Sequence, residues 1–514
     1  MRLTVKRFCR TVVSLATSAV VSSCIAVGPD FLTPAPPQNA GYSRAPLAGT
    51  GSVPGPTGAA QRFEFGGDLP EQWWRVFRSS DLNKLIGEAL RNNPNLQSTM
   101  STLRATKEAV YAQQGKYFPV AQGNFFASRQ QTPASLTPIP ANGATVFDLY
   151  TAQVLVTYMM DVWGLNRRTV ESLQAQSDMQ RFIVEAAYLS LTANVVVAAI
   201  QEAALRGQIE ATRQIIAINT KMLGVLRQQL EAGFANRSDV AAQEAALAQV
   251  QATLPPLQKQ LAVQRDLLTA LLGRYPNEEP YQRFTLDALQ LPQDLPLSLP
   301  SQLILQRPDV RLAEEQMHSA SALVGVATAN MLPNFTINAN GGYTALSLAG
   351  LLHPFNAFWL LSSNVTQTIF DAGTLLHLRR EAEANYDQTG WTYRSVLIGA
   401  LQNVADALHA LQYDAEALRA ARDFERAAKI SLDLARQQME TGNANVLLLL
   451  VAQQTYLQAV IAVVQARANR LADTAALFQA LGGGWWNRVA PPTEKILEVG
   501  SSTAFTLIDP HGLY

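Results

Sequence analysis

The most constraining feature of this sequence is an internal repeat. Pro94 and Pro119 recur as Pro308 and Pro333, a shift of 214 residues in both cases. Further along, the shift is 209 residues for Gly164 to Gly373, Gly233 to Gly442, Ala235-Asn236 to Ala444-Asn445, and Gly273 to Gly482. A shift that stays constant over such a distance predicts two copies of one structural unit. We place the copies at residues 71–274 and 301–484, with a proline-rich linker at 275–300.

Each copy contains two strand-like segments, at about 120–130 and 147–160 in the first copy and at about 334–344 and 357–370 in the second. Apolar and polar-leaning residues alternate at 149–160 and 335–340. Alternation with a period of two is typical of a strand with one exposed face. Strands of about ten residues can cross a bilayer when they are tilted. The sequence therefore predicts two barrel strands per repeat.

A very long helix is predicted after the second strand of each repeat. Proline is absent from residues 165–232, and Ile209, Ile216, Leu223 and Leu230 follow one another at intervals of seven. This spacing is typical of a coiled coil. An uninterrupted helix over this range would be about 100 Å long, which a single globular core rarely accommodates.

Shorter helices are predicted on both sides of this element. One helix is expected at 81–116 and its counterpart at 300–330, each ending before a proline. A returning helix is expected at 238–273 and again at 445–481. The Pro255-Pro256 pair should break the returning helix in the first repeat only.

The N-terminus has the pattern of an export signal. Basic residues precede the apolar stretch 11–21, and Val21-Ser22-Ser23-Cys24 follows it. This order predicts a signal peptide at 1–23. Cys24 would be the only cysteine of the mature chain, and lipid attachment accounts for it. Residues 24–70 are rich in Pro, Gly, Ala and Ser, which predicts an extended tether without a core of its own.

Four strands per chain are too few to close a membrane barrel. The smallest membrane barrels have about eight strands, and an open sheet edge leaves backbone groups unsatisfied in lipid. Several copies must therefore share one barrel. Two copies would supply eight strands and three would supply twelve.

The composition and motifs exclude other classes of function. With 40 Lys and Arg against 40 Asp and Glu, the formal net charge is zero, so no basic surface for nucleic acid is indicated. The motifs of serine hydrolases, zinc proteases and phosphate-binding loops are missing, and the five histidines are scattered. We expect no catalytic activity, no metal and no cofactor.

Three segments resemble the TolC-like outer-membrane efflux family. Gln72-Trp73-Trp74-x-x-Phe77 with Asn92–Leu96 resembles the opening signature of the family, and Leu305–Glu314 resembles its second-half signature. Cys24-x-x-Val27-Gly28-Pro29-Asp30-Phe31 resembles the mature start of its lipoprotein branch. The resemblance extends over roughly residues 24–484.

This resemblance implies a mainly α-helical fold with a membrane β-barrel. The family forms a homotrimer in which a 12-stranded β-barrel stands on an α-helical barrel. It implies an outer-membrane channel that extends into the periplasm and works with a periplasmic adaptor protein and an inner-membrane pump of the RND type. Ile25, which follows Cys24, resembles the sorting signal of lipoproteins sent to the outer membrane.

The resemblance also implies a role for the turns between the long helices. They would form the periplasmic mouth and contact the adaptor through Gly233, Phe234, Ala235, Asn236, Gly442, Asn443, Ala444 and Asn445. Charged residues that are candidates for closing the aperture are Arg237, Asp239, Arg436 and Glu440. Many relatives carry an Asp just after the second turn, whereas this chain has Val446–Leu450. An apolar constriction or helix packing is expected there instead.

Two alternatives to the efflux channel stay open at this point. One is a duct for type I protein secretion, against which the lipidation motif weighs. The other is a lipid-anchored coiled-coil scaffold that never forms a pore. Conductance across a lipid bilayer separates a duct from a scaffold.

Overall fold

The computed structural model describes residues 26–36, 42–43, 49–55, 57–133, 146–441 and 446–488. The predicted signal peptide, Cys24, the second turn at Gly442–Asn445 and the segment after residue 488 lie outside the described residues. The chain divides into two compact units. The first comprises Met1–Pro34, Thr102–Gln180 and Leu312–Arg394, and the second comprises Ala35–Ser101, Arg181–Arg311 and Ser395–Tyr514.

The described residues form six strands and eight α-helices. The strands are β1 Arg62–Phe65, β2 Val120–Gln131, β3 Val146–Met160, β4 Asp294–Leu297, β5 Asn334–Ala345 and β6 Ala357–Thr366. The helices are α1 Ser80–Asn92, α2 Pro94–Gln114, α3 Leu165–Glu231, α4 Arg237–Leu271, α5 Pro300–Gln306, α6 Pro308–Ala329, α7 Thr374–Glu440 and α8 Val446–Ala480. The prediction of two strands and long helices in each repeat is confirmed, and α3 and α7 both contain 67 residues.

A four-stranded antiparallel sheet dominates the first unit. Its order is β2-β3-β5-β6, so the two repeats meet at the β3–β5 pair. The hydroxyls of Thr151 and Thr344 are 3.0 Å apart across this pair. Strand β6 ends at Thr366, four residues before the predicted Phe370. Thr366 pairs with Asn334, and the preceding Pro333 has no N–H with which the ladder could continue.

Long helices pack against one another in the second unit. One buried cluster joins α3, α4 and α8 through Leu223, Leu226, Val240 and Val446. Another joins α7 to α8 through Leu432, Ala435, Leu449 and Ala452. Of the predicted heptad residues, Ile209 and Leu223 are buried, and Ile216 and Leu230 are half-buried. Helices α3 and α8 each also contain a stretch that is long and apolar enough to cross a membrane, and 61% and 39% of these stretches are buried inside the protein.

The predicted break at Pro255-Pro256 is wrong. Helix α4 continues through both prolines to Leu271. Proline removes a hydrogen bond to the carbonyl four residues earlier. Here those carbonyls belong to Gln251 and Ala252, which are exposed, so water can satisfy them.

The predicted single helices at 81–116 and 300–330 are each divided in two. The breaks lie at Asn93 and Arg307, both of which have extended backbone. The next residue in each case is a proline, Pro94 or Pro308, and proline disfavours the helical conformation in the residue before it. The equivalent break in both repeats follows from the same local sequence.

The prediction that residues 24–70 form a tether without a core is wrong for the part around β1. Strand β1 pairs in parallel with β4, which belongs to the predicted linker. Phe63 and Leu69 are buried, and Gln61 donates a hydrogen bond to Thr474 Oγ1 at 3.1 Å. Four-residue strands in a Pro- and Gly-rich segment give no clear periodicity, so the pairing was missed.

The chain after the second repeat also packs in the second unit. Gly482, Gly483 and Gly484 all have positive φ, which turns the chain at the end of α8. The Trp485 ring then meets Phe182 edge to face, with 5.7 Å between ring centroids. Arg488 forms an ion pair with the buried Glu185 at 2.9 Å. Burial raises the pKa of Glu185, and Arg488 opposes this.

Candidate functional site

The four-stranded sheet has one mainly apolar face and one face on which polar side chains are mixed with a few apolar ones. Because alternate residues of a strand point to opposite faces, the register decides which side chains lie together. On one face Trp359, Leu361 and Val365 of β6 lie opposite Gly341, Ala339 and Phe335 of β5. On the other face Ser362 and Asn364 lie opposite Asn338 and Thr336.

The same division continues across the β3–β5 pair. Tyr158, Val156 and Val154 pair with Ile337, Ala339 and Gly341 on the apolar face. Thr157, Gln153 and Thr151 pair with Asn338, Gly342 and Thr344 on the polar face. A sheet with one apolar and one polar face suits lipid on one side and water on the other.

Both edges of this sheet are unpaired in a single chain. Almost every residue of β2 and β6 is exposed, whereas most residues of β3 and β5 are half-buried. The exposed side chains include large apolar ones, such as Phe125 at 62%, Trp359 at 82% and Leu361 at 64%. An isolated sheet of this kind has open backbone groups at both edges, which lipid cannot satisfy.

The turn between α3 and α4 is built by glycine. Gly233 has φ +78°, and the N–H of Phe234 donates to Gln229 O at 2.7 Å while that of Gly233 donates to Leu230 O at 3.1 Å. These two bonds form a Schellman motif, which the left-handed conformation of glycine permits. The Phe234 side chain is left 86% exposed. The predicted second turn, Gly442–Asn445, lies outside the described residues.

The predicted aperture charges have separate environments. Asp239 accepts a hydrogen bond from the Asn236 N–H at 3.2 Å and so stabilises the start of α4. Arg237 is exposed at the first position of the helix. Arg436 is half-buried beside Met222 and Met439, at a cavity of about 210 Å³. The part of the chain that the structure describes contains no ion pair of either arginine, and the side chain of Glu440 lies outside it.

The apolar run after the second turn contributes to helix packing. Val446 and Leu449 are buried in the two helical clusters described above. Leu447 and Leu448 are 65% and 45% exposed. One side of the run therefore packs within the chain, and the other side is free in a single copy.

Sequence reasoning missed two features near these elements. Arg227 on α3 forms an ion pair with Glu244 on α4 at 2.7 Å, which ties the two helices together near their turn. The Val27 N–H donates to Trp163 O at 3.0 Å, which fixes the N-terminal segment shortly after β3. The motif that contains Val27 was recognised in the sequence, but its binding site in the fold was not.

The described residues offer no metal site, since no group of three or more His, Cys, Asp or Glu side chains is arranged for one. The candidate site therefore consists of surfaces: a two-faced sheet with open edges, a fixed N-terminal segment and an exposed helical turn.

Comparison with known proteins identifies relatives over almost the whole chain. The model of the outer membrane efflux protein family matches residues 85–274 and 299–483. The toluene efflux pump outer membrane protein TtgF of Pseudomonas putida is 29% identical over 495 residues, which cover 93% of this chain and 98% of that protein. The pyoverdine export outer membrane protein OpmQ of Pseudomonas aeruginosa is 28% identical and covers 92% of this chain and 98% of its own length.

Solved structures have the same fold. The outer-membrane channel OprN superposes with a TM-score of 0.79 at 25% identity, covering 89% of this chain and 99% of that one. The CmeC outer membrane channel of Campylobacter jejuni superposes with a TM-score of 0.82 at 21% identity, covering 92% of this chain and 98% of that one. The match to CmeC extends the agreement in fold to a more distant sequence.

Proposed function

This chain belongs to the outer membrane efflux protein family, and we propose that it is the passive outer-membrane duct of a tripartite efflux system that exports small toxic compounds. Relatives are named for the efflux of toluene and the export of pyoverdine. Their names indicate small molecules as cargo.

The observation that carries this proposal is the division of the sheet into two faces. Apolar side chains predominate on one face, and amide and hydroxyl side chains share the other with Phe126, Leu155 and Leu360. Closing such a sheet with the apolar face outward produces a water-filled passage through lipid. Small solutes can cross this passage without any reaction, so the duct needs no catalytic group of its own.

The open edges require additional copies of the chain. We propose a homotrimer, in which three four-stranded sheets form a barrel of twelve strands. Pairing β2 of one copy with β6 of the next would satisfy both edges. The exposed residues of β2 and β6 support this arrangement.

Lipid attachment at Cys24 is the second part of the proposal. Val21-Ser22-Ser23-Cys24 has the form of a lipoprotein cleavage site. The fatty acyl chains would anchor the mature N-terminus in the outer membrane in addition to the barrel. Mass spectrometry of the N-terminal peptide tests this part directly.

The helical turns are proposed as the contact with the rest of the pump. The exposed Phe234 and its neighbours Gly233, Ala235 and Asn236, with Gly442–Asn445 in the second repeat, would meet the periplasmic adaptor. An inner-membrane pump of the RND type would supply the energy. Arg237 and Arg436 would attract carboxylates of a neighbouring copy at a closed mouth.

Gene deletion is the first test. Cells that lack this protein should become hypersensitive to several unrelated toxic compounds, and expression of the intact chain should restore resistance. A duct for protein secretion predicts the loss of a secreted polypeptide with normal resistance instead. That second result would overturn the efflux assignment.

Conductance is the second test, because it separates a duct from a lipid-anchored scaffold. Purified trimers inserted in planar bilayers should conduct ions once the mouth is opened by Arg237→Ala and Arg436→Ala. If the doubly substituted trimers insert and remain silent, the chain is not a pore.

A further inference from the structure

The first described residues of the chain lie in a built binding site. Arg168, in the first turn of α3, has a side chain that is 5% exposed. Its guanidinium donates to Val27 O at 3.1 Å and to Asp30 Oδ1 at 2.7 Å. On the other side, the Val27 N–H donates to Trp163 O at 3.0 Å. The backbone of the segment is therefore held from both sides.

A second helix, α6, contacts the same segment at Phe31. The Phe31 ring stacks on His318 of α6, with 4.5 Å between ring centroids and 13° between planes. Glu171 links Arg168 to His318. Its Oε2 accepts a hydrogen bond from Arg168 at 2.8 Å, and its Oε1 lies 3.2 Å from His318 Nε2. The other ring nitrogen of His318 lies 3.3 Å from Glu315.

Two glycines let the segment approach α6 closely. A Cβ on Gly325 would lie 2.8 Å from Val27 O and 2.8 Å from Arg168 Cγ. A Cβ on Gly28, whose φ is +97°, would lie 2.4 Å from Gly325 Cα. The site thus excludes side chains where the backbone of the segment must enter.

We propose that this cradle, formed by Arg168, Glu171, Glu315, His318 and Gly325, is a docking site for the mature N-terminal segment Ala26–Phe31, and that it fixes the lipid-bearing end of the chain beside the end of β3. The second clause rests on the proposed acylation of Cys24. Cys24 precedes Val27 by three positions, so the two Cα atoms are at most about 11 Å apart. A long tether is therefore excluded as the element that positions the lipid.

Val27 is hydrogen-bonded to Trp163, which lies three residues after the last residue of β3. The lipid anchor therefore enters the membrane near the end of the sheet where Met160 lies. Ala26 supports this placement, since its Cα lies only 2.7 Å from where a Cβ on Gly164 would be. Recognition of the segment uses its backbone carbonyls, one carboxylate and one aromatic ring.

The test compares variants that empty the cradle with matched controls, in full-length protein purified from membranes. Asp30→Ala with Phe31→Ala removes the side-chain contacts of the segment without touching the folded body. Gly325→Val places a side chain where the backbone of Val27 lies. The controls are Leu32→Ala with Thr33→Ala, both exposed, and Gly390→Val, since no heavy atom lies within 4 Å of a Cβ at Gly390.

Hydrogen exchange at the Val27 amide is the first readout. Hydrogen bonds to charged groups contribute about 1.5–3 kcal/mol, so exchange should become roughly 10- to 100-fold faster in both cradle variants. The controls should exchange at the rate of the unmodified sequence. Protection that survives both cradle variants overturns the docking site.

A photo-crosslinking amino acid at Ile25 gives the position of the acylated end. It should crosslink to the peptide that contains Trp163, and both cradle variants should lose this product. Mass spectrometry of the N-terminal peptide reports acylation separately. An acylated protein with an unprotected Val27 amide refutes the cradle, whereas a protected amide with unmodified Cys24 refutes only the lipidation.

Discussion

Asn93 and Arg307 occupy the same position in the two repeats and hydrogen-bond the same feature, the last residue of a returning helix. The Asn93 Nδ2 donates to Leu271 O at 3.0 Å, and the Arg307 Nη1 donates to Ala480 O at 2.9 Å. The last carbonyls of a helix have no partner within it. An amide and a guanidinium therefore perform the same task in the two halves.

Replacing these residues should destabilise the protein unequally. Asn93 also accepts from the Leu96 N–H at 3.2 Å as a helix cap, so Asn93→Ala should cost about 1–2 kcal/mol. Arg307→Ala should cost about 2–4 kcal/mol, because the buried guanidinium also pairs with Asp309. Thermal unfolding followed by circular dichroism measures both. The exposed Asn92→Ala is the control, and equal midpoints for Asn92→Ala and Asn93→Ala would contradict this account.

Charges on the two faces of β6 should have opposite outcomes. Leu361→Arg places a cation on the apolar face, which costs about 2–4 kcal/mol at the middle of a bilayer. Ser362→Arg places the same side chain one residue later on the polar face. We expect the first variant to fail in membrane assembly and the second to assemble with altered conductance. Normal assembly of Leu361→Arg would mean that this face does not contact lipid.

The turn at Gly233 should tolerate alanine poorly. Its φ of +78° is strained for any residue with a Cβ, so Gly233→Ala should cost about 1 kcal/mol. Gly224→Ala, inside α3 with no heavy atom within 4 Å of the new Cβ, should stabilise by about 0.5–1 kcal/mol. Unfolding midpoints of the two variants should move in opposite directions from the parent. A shift of the same sign in both would be evidence against the assigned turn.

The stability of the second unit should fall as the pH rises towards neutrality. The carboxyl of Asp414 on α7 is influenced by Asp473 and Arg470 on α8. Burial first, and then Asp473, raise the pKa of Asp414 to about 7. The folded state thus retains a proton that the unfolded chain releases near pH 4. The stabilisation from the protonated carboxyl is therefore complete below pH 4 and is lost as the pH rises through 7.

Asp414→Asn removes this titration. Its unfolding midpoint should depend less on pH between 4 and 7 and should exceed that of the parent at pH 8. The difference is on the order of 2 kcal/mol, after allowance for partial exposure. Asp423→Asn, an exposed residue of α7, is the control. An unchanged pH slope in Asp414→Asn would show that the carboxyl pair is not the source.

The sequence predicted β3 and β5 well because apolar and polar-leaning residues alternate along them, a pattern that can be read without knowledge of the partner strand. The returning helix was misjudged at Pro255-Pro256, because the cost of a proline depends on whether water reaches the freed carbonyls. That exposure is a property of the fold and is not written in the local sequence.

The N-terminal cradle could be predicted only in part. The Val27–Phe31 motif was visible, but Arg168 and His318 are far from it in the chain and lie on two different helices. The β1–β4 pair was missed for a similar reason, since parallel partners need no turn signal between them. Both features depend on contacts between distant segments.

The parallel pairing of β1 with β4 has a consequence for the order in which this protein can fold. Arg62 can pair only after Asp294 has been exported. In a chain that is exported N-terminus first, Phe63 therefore stays exposed until more than two hundred further residues have followed. Contacts between distant segments form slowly, and apolar stretches exposed in the interval invite aggregation. During biogenesis this short strand therefore stays unpaired, with its apolar residues exposed, until β4 has been exported.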